Sequence, residues 1–106
     1  MVRVILESPY SGDIEKNLEY ARLAIRDSLT RGEAPIASHL LYTQENILDD
    51  NIPEQRKLGI DAGLEWLKFA EKHVFYVDNG FSKGMLDALK ISVENNISIE
   101  FRKLYQ

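Results

Sequence analysis

The chain has 106 residues, 44% of them hydrophobic and 28% charged, with a formal net charge of −4 and no cysteine. That make-up fits one globular domain over residues 1–106 with a real core. It argues against broad nucleic-acid or anionic-membrane binding, and it excludes disulfides and a thiol nucleophile.

No apolar run reaches the length of a membrane span, and the first residues lack a signal pattern, so a cytoplasmic protein is expected. Val2 to Leu6 is short, β-branched and apolar apart from Arg3, which predicts a buried strand. Ser8-Pro9-Tyr10-Ser11-Gly12 ends it as a loop, and Asp13 is a good N-cap. Ile14, Leu18, Ala21, Ile25 and Leu29 then recur at helical spacing, and Gly32 closes that helix.

Pro35-Ile36-Ala37-Ser38 reads as a short second strand. The stretch from His39 to Ile52 is irregular but too apolar for a disordered linker, and loops of that length in compact domains are often functional. A second helix follows Pro53 and is expected to reach about Lys72. Its apolar residues, among them Leu58, Ile60, Leu64, Trp66, Leu67 and Phe69, cover more than one stripe. A helix packed on one sheet face needs only one. The excess predicts a subunit interface, or burial under the preceding loop.

His73 to Val77 is the third strand. A third helix runs from Ser82 to about Asn95, and Ile97 to Phe101 alternates as a last strand. Strand–helix alternation of this kind makes a mostly parallel sheet with right-handed crossovers. The expected fold is α/β: a flavodoxin-like three-layer sandwich, a four-stranded sheet of order 2-1-3-4 with helices on both faces. The switch point then lies between strands one and three, where the loops after Leu6 and Val77 share one crevice.

Three polar groupings converge there. Ser8, Pro9, Tyr10, Ser11 and Gly12 suit a phosphate or sugar, or form an ordinary Pro/Gly turn with a capped helix. His39 follows a strand's carboxyl end, with Asp49, Asp50 and Arg56 beyond it. No metal is expected, since His39 lacks partners at ligand spacing and His73 is isolated. The third grouping is Asp78-Asn79-Gly80-Phe81-Ser82-Lys83-Gly84-Met85. It is either a ligand site at a helix N-terminus or a plain connection with Ser82 as N-cap. The sequence has no GxGxxG, no P-loop and no GxSxG, so a dinucleotide fingerprint and a nucleophile elbow are excluded, and no cofactor is expected.

Taken in order, Ser8-Pro9-Tyr10-Ser11-Gly12-Asp13, Asn17 with Ala21-Arg22, Pro35-Ile36-Ala37-Ser38-His39-Leu40-Leu41-Tyr42, Leu48-Asp49-Asp50, Arg56 with Gly59, and Asp78 through Met85 form a frame. This frame resembles the small nucleoside 2-deoxyribosyltransferase-like proteins of bacteria and their phages, over nearly the whole chain. The resemblance implies a flavodoxin-like fold and a nucleoside or nucleotide site at the strand ends. In the true transferases a Glu on the helix after the Gly-rich turn attacks the anomeric carbon. That Glu falls four residues past the turn's second Gly, which here is Ala88. Asp87 is adjacent but turned away by about 100°.

The resemblance with its nucleophile missing implies a binding protein for a nucleotide-like small molecule. By analogy with related phage-type proteins, that would be a sponge for a cyclic ADP-ribose-type immune signal. Tyr10 or Phe81 would cover a base, Asp78 would bind ribose hydroxyls, and Ser8, Ser11 and Gly12 would hold phosphate. His39 and Arg56 would add charge-assisted contacts, with Pro9, Ser82, Gly84 and Met85 completing the site. The alternative is an N-glycosidase or deoxyribosyltransferase using Asp78 or Asp87. Either way, a homodimer or larger assembly is expected.

Overall fold

The computed structural model describes residues 1–105. Four strands, β1 (Val2–Glu7), β2 (Glu33–Ile36), β3 (Lys72–Tyr76) and β4 (Ile99–Arg102), form one sheet. Every pairing is parallel and the order is β2-β1-β3-β4. The helices are α1 (Ile14–Thr30), α2 (Ser38–Leu41), α3 (Pro53–Leu67) and α4 (Lys83–Glu94).

Alternation along the strands divides the sheet into two faces. Val4, Leu6, Val74 and Tyr76 meet Tyr20 and Ala24 of α1, and these residues make the main core. Ile5, Glu7 and His73 point to the opposite side, where α3 and α4 lie. β2 is an edge strand, so Pro35, which has no N–H to donate, is tolerated within it.

Three elements have a boundary two or more residues away from the sequence reading. The second strand occupies Glu33–Ile36 rather than Pro35–Ser38, because Ser38 begins the one-turn helix α2. α3 stops at Leu67, well short of Lys72. There the Glu71 N–H donates to the Arg3 carbonyl at 2.8 Å, and the Arg3 N–H donates to Glu71 Oε2 at 2.7 Å, which draws the chain back toward the sheet. The last strand begins at Ile99, and it pairs with β3 of the same chain. Of the apolar residues on α3, Leu67 is buried while Leu58, Ile60 and Trp66 are exposed, so the irregular loop covers only part of that helix.

Candidate functional site

At the carboxyl end of β1, over the sheet face that Ile5 and His73 present, the loop after β1 and helices α2, α3 and α4 enclose a cavity of about 180 Å³. The local sequence explains the shape of the first loop. Asp13 caps α1 by accepting the Lys16 N–H at 3.2 Å. The Asn17 amide then donates to the Tyr10 and Ser11 carbonyls at 2.9 and 3.0 Å, which pins the loop to the helix. Gly12 makes the turn between them at φ +101°, a conformation open to glycine.

The opposite wall starts at α4. Ser82 accepts the Met85 N–H at 3.2 Å, and the Ser82 N–H donates to the Met85 sulfur at 3.5 Å. The cap is the plain connection expected of Ser82, and the same turn also borders the cavity. Arg56 on α3 reaches toward this helix start: a Cβ on Gly84 would lie 4.0 Å from Arg56 Nη2. Its Nη1 donates to Asp50 Oδ2 at 2.8 Å.

Ser8, Tyr10, Ser11, His39, Arg56, Ser82, Gly84 and Met85 all line the cavity, as do Asp87 and Ala88. Gly12 lines an open cleft next door, which shares Tyr10, Ser11, Thr43, Leu48, Asp50 and Gln55 with the cavity. Pro9 is buried and lines neither of them. Phe81 packs on Phe101 and Phe75, with ring centroids 5.7 and 6.3 Å away, rather than over the cavity.

Asp78 is also absent from the cavity wall. Its Oδ1 accepts from the Tyr20 hydroxyl at 2.5 Å and the Leu104 N–H at 2.8 Å, and its Oδ2 accepts the Tyr105 N–H at 3.0 Å. Burial raises its pKa, but these donors outweigh burial and hold it below the ordinary carboxylate value.

His39 is the most unusual group. Its Nε2 lies 2.7 Å from Ser8 Oγ, and its Nδ1 is buried with no hydrogen-bond partner among the described residues. Burial pushes its pKa down, against a smaller upward pull from Glu7, so the ring is neutral at pH 7. A buried polar atom left unpaired costs stability, so it calls for an explanation such as a functional role or a bound water or ion.

Sequence reasoning passes over Glu7 and dismisses His73. Both line the cavity. His73 Nε2 lies 2.8 Å from Glu7 Oε2, and His73 Nδ1 lies 2.5 Å from Ser92 Oγ on α4. The signal available was positional: Glu7 is the last residue of β1, at the strand end where open α/β sheets bind ligands.

Chemically, the cavity offers carboxylates from Glu7, Asp50 and Asp87, one guanidinium, the imidazoles of His39 and His73 and several hydroxyls. Among the described residues no group of three or more His, Asp or Glu is placed to hold a metal ion. None of the described helices is long and apolar enough to cross a membrane.

No curated protein matches the sequence. Among solved structures, the 2-deoxyribosyltransferase of the psychrotolerant bacterium Bacillus psychrosaccharolyticus is similar, with a TM-score of 0.67 at 19% identity, over 96% of this chain and 72% of that one. At that identity the likeness establishes a shared fold, a nucleoside deoxyribosyltransferase-like α/β sandwich. Residues 2–102 match the family described as a domain of unknown function, DUF7768, and the chain belongs to it.

Proposed function

We propose that the chain captures a nucleotide-derived small molecule in this cavity and returns it unchanged. The observation that carries the reading is His39: a neutral imidazole in the cavity wall with a buried, unpartnered Nδ1. The methyl of Ala88 supports capture over turnover, because it borders the cavity at the position where the transferase resemblance calls for the nucleophilic Glu. Tyr10 is the aromatic group available to a base. Ser8, Ser11 and the α4 N-terminus offer donors to a sugar or phosphate. The cavity is smaller than the roughly 300 Å³ at the low end of small-molecule pockets. The adjoining cleft lined by Gly12, Asn46 and Asp49 extends it. A phage sponge for a cyclic ADP-ribose-type signal remains the finer form of this proposal and rests on analogy.

Glu7 favours a second reading, cleavage of an N-glycosidic bond. It places a carboxylate in the cavity even though position 88 is alanine, and the similar solved structure is that of a 2-deoxyribosyltransferase. One experiment separates the two. The purified protein is incubated with nucleotides and with nucleotide extracts, then heat-denatured, and the released material is read by mass spectrometry. Intact ligand in stoichiometric amount supports capture. Free base with a sugar or sugar phosphate means turnover, and neither retained ligand nor cleavage products sinks both readings.

The exposed Leu58, Ile60 and Trp66 on α3 support assembly into a homodimer or larger ring. A monomer by light scattering at micromolar concentration removes that part of the proposal.

A further inference from the structure

We infer that Glu7 orients the ligand by accepting hydrogen bonds from donor groups on an uncharged part of it, and that His73 and Ser92 hold Glu7 in place. This rests on reading the cavity as a nucleoside-type site.

Serine, histidine and a carboxylate in a row have the make-up of a hydrolytic triad. Burial reverses the roles. Ser92 is 0% exposed and His73 1%, while the Glu7 side chain, at 17%, opens to the cavity. The working end is therefore the carboxylate, and the serine is the inner anchor. Because Glu7 accepts, His73 Nε2 donates; in the neutral ring Nδ1 then accepts from the Ser92 hydroxyl. One rotamer and one tautomer satisfy both ring nitrogens, in the manner of groups that orient a functional side chain.

Only one of the Glu7 oxygens is used this way. Oε1 makes no hydrogen bond among the described residues. Stability does not explain the arrangement, since a buried carboxylate with its polar partners contributes little compared with apolar packing of similar volume. A carboxylate oxygen facing a cavity accepts hydrogen bonds and repels phosphate. Asp50 and Asp87 share the cavity, and its single guanidinium, Arg56, is already paired with Asp50. The group that meets Glu7 is thus rich in donors and carries no phosphate: a sugar diol or an amino group on a base.

Calorimetric titration tests this with adenosine, guanosine, cytidine and uridine on the wild-type chain and on Glu7→Gln and Ser92→Ala. The tightest binder is then compared with its 2′,3′-dideoxy form and with the form lacking the base amino group. Charge-assisted hydrogen bonds imply a loss of about 10- to 100-fold for Glu7→Gln. One donor-deleted analogue should show a similar loss on the wild type, which identifies the group. Neither variant should weaken that analogue further, a pattern that a general loosening of the fold does not produce. Equal affinity of Glu7→Gln and wild type, or full affinity for both analogues, overturns the role of Glu7 alone. If no ribonucleoside binds the wild type, the nucleoside-type reading fails and this inference falls with it. The analogue comparison on the wild type keeps the test decisive if a variant does not fold.

Discussion

The hydroxyl of Tyr20, on α1, donates to Asp78 Oδ1 at 2.5 Å, and the same oxygen accepts the Leu104 N–H. A carboxylate at the end of β3 thereby ties helix α1 to the segment after β4. Burial first, and the Asp78 hydrogen bond second, raise the Tyr20 pKa well above its ordinary value, so the phenol stays a donor. Asp78→Asn keeps the shape but loses the charge that gathers these donors. The expected cost is about 1–3 kcal/mol of stability by denaturant unfolding. Ligand affinity should stay within about twofold, by calorimetry, because the group lies outside the cavity wall. Lost affinity with unchanged stability would return Asp78 to the site.

A second anchor joins the two edge strands. Arg102 on β4 donates to Glu33 on β2 through both terminal nitrogens, at 2.7 and 2.6 Å, and Ser28 donates to the same carboxylate at 2.7 Å. The Arg102 hydrogen bonds outweigh burial and hold the Glu33 pKa at about 2, against an ordinary 4.5. A depressed carboxylate pKa contributes stability that is present above the unfolded value and is lost as pH falls through the folded one. The window therefore runs from about pH 4.5 down to about pH 2. Asp27 and Glu100 are shifted the same way and steepen the loss. Glu33→Gln should cost about 3–5 kcal/mol at pH 7, because it leaves Arg102 buried with a weaker partner. Its acid-unfolding curve should also be flatter below pH 4.5 than that of the wild type. Parallel curves for the two proteins would assign the acid sensitivity to other carboxylates.

The wall between α2 and α3 is set by a close approach. A Cβ on Gly63 would sit 2.5 Å from Ser38 Oγ and 3.0 Å from Ser38 Cβ. Both residues line the cavity, so any widening there reaches the site. Alanine normally favours a helix, by about 1 kcal/mol over glycine. Here Gly63→Ala should instead destabilise, by about 1–3 kcal/mol, since the overlap forces the helices apart. Adding Ser38→Ala removes the Oγ clash but leaves the Cβ contact, so it should restore part of the loss. A stabilised Gly63→Ala chain would mean that α2 yields freely.

The fold was legible because periodicity carries it. Val2–Leu6 and His73–Val77 are continuous apolar runs bounded by polar turns, and Ile14 to Leu29 repeats at helical spacing. The order 2-1-3-4 was expected from the flavodoxin-like pattern and is the order of the sheet; handedness sets the sense of each crossover and not the order of the strands. Boundaries such as the end of α3 were not legible, because the Arg3–Glu71 pairing that sets it spans 68 residues of sequence. The crevice between β1 and β3 was legible from topology, which brought Ser8, His39 and Ser82 together. Side-chain direction was not. Asp78 and Glu7 both end strands, yet Tyr20 and the Leu104 and Tyr105 N–H groups claim one, while His73 turns the other toward the cavity. His73 looked isolated because its partners lie 66 residues before it and 19 after it.

Those two histidines, the only ones in the chain, give a direct readout. Burial lowers the His39 pKa below its ordinary 6.5. The unfolded chain therefore binds a proton more readily than the folded one just below that value. The contribution of His39 to stability is complete above pH 6.5 and is lost as pH falls through the folded pKa. A two-dimensional carbon–proton NMR titration should place the His39 midpoint below 6.5, with assignment by the His39→Gln variant. That variant should also show a smaller fall in melting temperature between pH 6.5 and 5. A ligand that fills the cavity and donates to Nδ1 holds the ring neutral, and so pushes the midpoint lower still. A midpoint at or above 6.5 in the free protein would mean that water or a partner group reaches Nδ1. The unpartnered imidazole would then no longer argue for a ligand.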